Sequence, residues 1–353
     1  MPDTDILTIS AAIDKLVIKS KSVALPPELI SRLDELFSQL KINSHSEGTF
    51  WTFYQSTAKY IDWVVSLPWN TQSDDILDTR HTQEKLDENH YGLQDVKQRI
   101  IEYVSVLSLQ KTRHPDIPFR APIFLFVGLV GTGKTTMARS IADCLNRQLI
   151  RIPFGGLGDP LYLRGQSRLH PEAEPGALIR GLATAATRNP VILLDEIDRV
   201  ADDALNTIMG VLVELLDPEQ NARFTDHYLD YPFDLSQAFF VATCNNTSRI
   251  ATAVLDRLEI IQMPSYTDEE KLNIGKSYLL PRAIKEAGFN QGELTVVESV
   301  WPSIIRPLGF DAGVRTLKRN IEGLCRKTAA LILSGQKQVV VDESNVKKYL
   351  PQW

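Results

Sequence analysis

The chain has 353 residues, enough for roughly two or three domains and a sizeable core. Its 43% hydrophobic and 23% charged content is ordinary for a soluble globular protein, and no run approaches the ~18 apolar residues of a membrane span. The net charge of −6 argues against a dominant nucleic-acid surface, which needs clustered Lys and Arg.

The opening MPDTDILTIS carries early acids and no arginine, so it resembles neither a secretory signal nor an organellar presequence. Residues 1–80 predict a helical region. In LPPELISRLDELFSQLKI, Leu29, Leu33, Leu36, Phe37 and Leu40 recur at helical spacing, with Pro26 and Pro27 at the entry. An aromatic stretch follows, FWTFYQSTAKYIDWVVSLPWN, in which Tyr60, Trp63, Val64 and Leu67 share a packing face.

Residues 81–265 alternate short apolar runs with helical patterns. The runs are PIFLFVG, LIRI, VILLD, FFVATC and LEIIQM, each apolar on both faces as a buried parallel strand should be. The expected fold class is therefore α/β, a five-stranded parallel sheet sandwiched by helices. Residues 266–353 read as a smaller helical domain. Its helices are expected in DEEKLNIGKSYLLPRAIKEAG, in ELTVVESVWPSIIRP and in AGVRTLKRNIEGLCRKTAALILSG, the last N-capped by Asp311. A short strand, KQVVVD, and a turn of helix close the chain.

Two motifs carry chemistry. Gly128-Leu129-Val130-Gly131-Thr132-Gly133-Lys134-Thr135 matches G-x-x-x-x-G-K-[ST] between an apolar strand and a helix that begins with Thr135 and Thr136. Glycines let the backbone curl so that successive N–H groups cradle phosphates, and the helix N-terminus adds partial positive charge. Lys134 would reach the β- and γ-phosphates of ATP, and the Thr135 hydroxyl would ligate Mg²⁺. VILLDEID supplies the other half: Asp195, at a strand tip, would hold the metal directly or through water, and Glu196 would polarise the attacking water. Asn245, ending the next strand, is placed to orient that water. Arg257 and Arg315 read either as ordinary surface cations or, in an oligomeric ATPase, as one arginine stabilising transition-state charge in a neighbouring subunit and a second, on the small domain, coupling nucleotide state to that domain's angle.

Cys144, Cys244 and Cys325 lack CxxC spacing and predict reduced thiols in an intracellular protein. The six histidines form no HExxH or His/Cys cluster, so no zinc site is expected.

NHYGL, LPWN, LLDEID, LLDPEQNARFTDHYLDYPFDLS, FVATCNN, LDRLEII, SYTDEEKLNIGKSYLLP and GVRTLKR together resemble the Lon family of ATP-dependent proteases, from about Leu25 to the C-terminus. The resemblance implies the end of an N-terminal helical region (1–80), a large P-loop AAA+ α/β subdomain (81–265) and a small helical lid (266–353). It implies Arg257 as arginine finger, Asn245 as first sensor and Arg315 as second sensor. It also implies that His90, Tyr91 and Gly92 pack against the adenine. By family, the partners are a protein substrate and identical subunits in a homohexamer, with no membrane and no nucleic acid. The location would be cytoplasmic, or the mitochondrial matrix or peroxisome.

Two departures stand out. No GxSxG or comparable serine setting occurs, so this chain is not expected to cleave peptides by the family's Ser-Lys mechanism; it would be either a module of a longer protease or a stand-alone ATPase. Where the family places an aromatic–aliphatic–glycine triplet in its first pore loop, this chain has His170-Pro171-Glu172 within RGQSRLHPEAEPG. The second pore segment reads Leu205-Asn206-Thr207-Ile208. The expectation is an intact ATP site with no apolar wedge for substrate. The alternatives are an ATP-binding regulatory subunit that does not thread substrate and, from another class, a nucleic-acid remodelling AAA+ protein.

Overall fold

A computed structural model describes residues 3–45, 47–113, 121–306 and 311–350. Three helices open the chain: α1 (Asp3–Ser20), α2 (Pro27–Ile42) and α3 (Glu47–Ser66). Pro27 takes the first helical position of α2, where its missing N–H costs nothing, and the helix buries Leu29, Leu33, Phe37 and Leu40. Tyr60 and Val64 of α3 and Leu67 just beyond it are also buried. Next come α4 (Thr79–Asn89), capped by the Asp78 carboxylate, and α5 (Gln94–Arg113).

The central layer runs β1 (Ile123–Val127), α6 (Lys134–Leu145), β2 (Leu149–Pro153), α7 (Leu161–Arg164), α8 (Ala177–Ala185) and β3 (Val191–Asp195). It continues with α9 (Leu205–Leu215), the short hairpin β4 (Phe224–Thr225) and β5 (Pro232–Phe233), then β6 (Phe239–Cys244), α10 (Thr252–Leu255) and β7 (Leu258–Gln262). Five strands pair in the order β2-β3-β6-β1-β7, all parallel. Side chains alternate across this sheet. Leu125, Ile192, Leu194 and Ala242 face a core shared with α1–α3, α8 and α9. Phe124, Phe126, Leu193 and Val241 face a second core with α4, α5 and α6. The middle strands β1, β3 and β6 are buried at every residue. The outer two are not apolar on both faces as the sequence reading had them. β2 exposes Arg151 and β7 leaves Ile260 46% exposed, because each is flanked on one side only.

The remaining helices are α11 (Asp268–Ile274), continued through a π-helical turn (Gly275–Leu279) into α12 (Leu280–Glu286). Then follow β8 (Leu294–Val296), α13 (Trp301–Ile305), α14 (Arg315–Leu333), β9 (Val339–Val341) and α15 (Val346–Tyr349). A Thr267–Glu270 capping box starts α11. Trp301, Ile304, Leu317, Ile321, Leu324 and Val341 build a third core here.

Two expectations for this part need correction. ELTVVESVWPSIIRP is not helical throughout: Leu294–Val296 is a strand, paired in parallel with Val339–Val341. The β-branched run of KQVVVD finds its partner there; Pro307, the last residue of that stretch, lies outside the described residues, as does the closing Pro351–Trp353. Asp311 does not cap α14, whose N-cap position is Val314. The Asp311 carboxylate instead accepts from the Gly313 N–H at 3.1 Å, and its carbonyl receives the Lys271 ammonium.

Candidate nucleotide-binding site

The strand order sets the site. β6 lies between β1 and β3, so the turn after β1, the acids ending β3 and the Asn after β6 emerge side by side at one edge of the sheet. The Gly128–Thr135 turn joins β1 to α6. Gly133 sits at the N-cap of α6 with φ +97, a conformation that residues with a Cβ rarely adopt. Its carbonyl accepts from Thr136 Oγ1 at 2.8 Å, while the buried Thr132 hydroxyl donates to the Leu129 carbonyl at 2.9 Å. Leu129 and Val130, at the crest, are 51% and 43% exposed.

Lys134 is 7% exposed, and its ammonium donates to the Gly128 carbonyl (2.6 Å), the Leu129 carbonyl (3.0 Å) and Asn245 Oδ1 (2.9 Å). Burial lowers its pKa from the ordinary lysine value, opposed chiefly by the carboxylate of Asp198. The Thr135 hydroxyl donates to Asp195 Oδ1 at 3.1 Å. Lys134, Thr135, Asp195 and Asn245 are thus gathered into one cluster. An ammonium at a loop of backbone amides, next to hard hydroxyl and carboxylate oxygens, is a donor set that fits a Mg²⁺-bound polyphosphate.

Glu196 follows Asp195 with φ +60, an uncommon left-handed turn for a residue with a side chain. Thr243 explains it. Its fully buried hydroxyl donates to Asp195 Oδ1 at 2.6 Å and accepts from the Glu196 N–H at 2.9 Å, so one side chain positions both acids. Asp198 acts similarly one turn on: its Oδ2 accepts from the N–H groups of Asn245 (3.0 Å) and Asn246 (3.2 Å), fixing the end of β6 beside β3. Its Oδ1 is buried without a hydrogen-bond partner. Arg151, on β2, holds Asp195 Oδ2 from Nε at 2.8 Å and from its terminal nitrogen at 2.7 Å. Sequence reasoning assigned none of these three. The signals were a lone hydroxyl inside the apolar FVATC, the last acid of LLDEID, and a charge inside the strand LIRI.

His90, Tyr91 and Gly92 lie against this helix–loop unit and the small domain. His90 caps α4, and its Nε2 is 2.9 Å from Ser140 Oγ on α6. Burial pushes the imidazole down to about 4, with Lys97 adding repulsion. Tyr91 Oη accepts from Asn273 on α11 at 3.1 Å, and a Cβ on Gly92 would sit 3.5 Å from the Glu270 carboxylate. Arg315, exposed at the start of α14, flanks the loop crest: a Cβ on Gly131 would lie 3.1 Å from the Arg315 Cβ. The Val314 N–H donates to the Gly131 carbonyl at 3.0 Å, and Gly313 packs against the Gly131 backbone. Arg257 is not gathered in. Its guanidinium donates to the Ala253 carbonyl at 2.6 Å and pairs with Asp217 at 3.2 Å.

RGQSRLHPEAEPG departs from expectation. The Asp226 carboxylate pins its base by accepting from the Gly176 N–H at 2.7 Å. Arg168 stacks 3.9 Å over the Tyr60 ring, and Lys59 pairs with Glu174 at 2.7 Å, so the loop is tied to α3. Turns from Ser167 to His170 and from His170 to Ala173 leave Leu169 92% exposed. The loop therefore does carry a large aliphatic residue, one place before His170-Pro171-Glu172. Leu205–Ile208 is no loop: it is the first turn of α9, with Ile208 buried. Among the described residues no group of His, Cys, Asp and Glu has a metal-binding arrangement, the three cysteines are buried and free, and no helix is long and apolar enough to cross a membrane.

Comparison with known proteins matches residues 124–266 to the ATPase family associated with various cellular activities (AAA) and residues 285–341 to the Lon protease AAA+ ATPase lid domain. Lon protease of Bacillus thuringiensis is 40% identical over 338 residues, covering 95% of this chain and 41% of its own length. Lon protease 2 of Thermus thermophilus is 44% identical over 298 residues (82% and 37%), and Lon protease of Clostridioides difficile 39% over 345 residues (97% and 42%). The chain thus spans well under half the length of these relatives.

Proposed function

The chain belongs to the Lon family as an AAA+ ATPase module, and on that premise we propose that it binds and hydrolyses Mg²⁺-ATP to move a protein substrate toward proteolysis. The observation that carries this reading is the convergence of Lys134, Thr135, Asp195 and Asn245 at adjacent strand ends. Lys134 would leave the Gly128 and Leu129 carbonyls for phosphate oxygens, and Thr135 with Asp195 would hold the metal, which supplies charge neutralisation at the phosphates. Glu196, aimed by Thr243, is the base for the attacking water, which Asn245 orients. Gly128 to Thr136 form the phosphate cradle, with His90, Tyr91 and Gly92 as the adenine side and Arg315 as the sensor carried by the lid. Arg257, bonded to its own Asp217 and Ala253, serves a neighbouring subunit of a homohexamer. The 1–80, 81–265 and 266–353 divisions serve as the helical platform, the nucleotide subdomain and the lid.

Glu196→Gln should bind ATP with unchanged affinity and lose at least about a hundredfold in turnover. Wild-type turnover in that variant would remove Glu196 from its role. The exposed Leu169 favours a threading motor over a regulatory subunit with no hold on substrate.

A further inference from the structure

Both oxygens of the Asp195 carboxylate are engaged, and a guanidinium covers Oδ2. A carboxylate offers about four lone-pair sites. Oδ1 accepts from the hydroxyls of Thr135 (3.1 Å) and Thr243 (2.6 Å); Oδ2 accepts from Arg151 Nε (2.8 Å), with the terminal nitrogen of the same guanidinium in ion-pair contact at 2.7 Å. Thr243 is fully buried on the neighbouring strand and also holds the Glu196 N–H, so it is not free to leave. Thr135 can turn its oxygen to a metal and still donate its proton to Oδ1. Only Arg151 can yield. Its side chain is 58% exposed, and it stands on β2, the outer strand of the sheet, where water can receive the guanidinium. Asp195 by contrast is 4% exposed, so a second cation reaches it only by replacing the first.

We propose that Arg151 is a positioning residue that acts through Asp195: it occupies the carboxylate edge that Mg²⁺ or its hydration shell must use, so metal binding and release of Arg151 are one linked step. A guanidinium and a hydrated divalent cation compete for the same oxygen. The metal is therefore admitted only where a nucleotide helps to hold it, and the acid keeps a partner at all other times. The inference rests on the reading of Thr135 and Asp195 as the metal side of the site.

The test is equilibrium binding of a fluorescent ADP analogue to the full chain, in EDTA and across a Mg²⁺ titration. Wild type, Arg151→Ala and Arg151→Lys are compared, with thermal melting to check folding. In EDTA the three should bind alike. In Arg151→Ala the half-saturating Mg²⁺ concentration should fall about tenfold, the scale of one charge-assisted bond lost. Arg151→Lys, which keeps the charge but not the fork, should fall between. An unchanged Mg²⁺ requirement in a normally melting Arg151→Ala would overturn the competition. A raised requirement would overturn it too, by making Arg151 an organiser of Asp195. If wild type itself binds the analogue without regard to Mg²⁺, the underlying assignment of Thr135 and Asp195 fails instead.

Discussion

At neutral pH the imidazole of His90 has no place for a second proton. It is 6% exposed, its Nε2 faces Ser140 Oγ at 2.9 Å, and burial, reinforced by Lys97, holds its pKa at about 4 against an ordinary 6.5. The unfolded chain takes up that proton first as pH falls. The stabilisation is therefore complete above pH 6.5, is lost between 6.5 and 4, and changes no further below that. Its full size is on the order of 3 kcal/mol. His90→Gln keeps a polar group toward Ser140 and does not titrate. Chemical denaturation at pH 7, 5.5 and 4 should find the stability difference between wild type and variant shrinking by most of that amount; a constant difference would mean the ring is not held neutral. The family resemblance of NHYGL implies that His90 packs near the adenine but says nothing of its charge, which depends on burial beneath α6 and on Lys97, seven residues along the chain.

At the scale of elements, the phosphate loop and α14 are held together by backbone. Gly131 and Gly313 touch main chain to main chain, and an added Cβ on Gly313 would fall 2.3 Å from the Gly131 carbonyl carbon. Gly313→Ala must push α14, with Arg315, away from the loop crest. Overpacking of this kind costs about 1–3 kcal/mol, so nucleotide affinity should fall about tenfold. Unaltered ADP affinity would show that the two elements move independently. This contact was half legible. The loop, the acids and the five strands announce themselves through local pattern, because phosphate chemistry and buried parallel strands each demand particular residues at fixed spacing. The pairing of Gly313 with Gly131, the strand at Leu294–Val296 and the failure of Asp311 as a cap depend on partners more than forty residues away or on tertiary packing. Arg151 and Thr243 were hidden for the same reason. Each reads as an imperfect strand residue until the register brings β2 and β6 to either side of Asp195.

Across the whole molecule, the nucleotide site and the 165–176 loop are linked to separate neighbours. The loop is pinned to α3 by Arg168 over Tyr60 and by Lys59 with Glu174, above a groove of about 1140 Å³ that Phe53, His227 and Tyr228 help to line. Leu169 is a large aliphatic side chain 92% exposed on this loop, so substrate contact should run through that residue and not through His170-Pro171-Glu172. Leu169→Ser should abolish the stimulation of ATP turnover by an unfolded protein while leaving basal turnover unchanged; stimulation that survives would return the grip to other residues. The local turns around Ser167 and His170, invisible in the composition of the loop, are what turn Leu169 outward.

Arg257 bears on the central claim. Lys134, Thr135, Asp195 and Asn245 are hydrogen-bonded into one cluster at the Gly128–Thr135 turn, while Arg257 is engaged with Asp217 and Ala253 of its own chain. On the proposed function, the site would be complete only when a second subunit contributes its arginine. The decisive measurement is steady-state ATP turnover per protomer across a wide range of protein concentration, for wild type and Arg257→Ala. Turnover should rise with concentration in the wild type and stay flat, about a thousandfold lower, in the variant. Turnover that is independent of concentration and indifferent to Arg257→Ala would contradict a composite site.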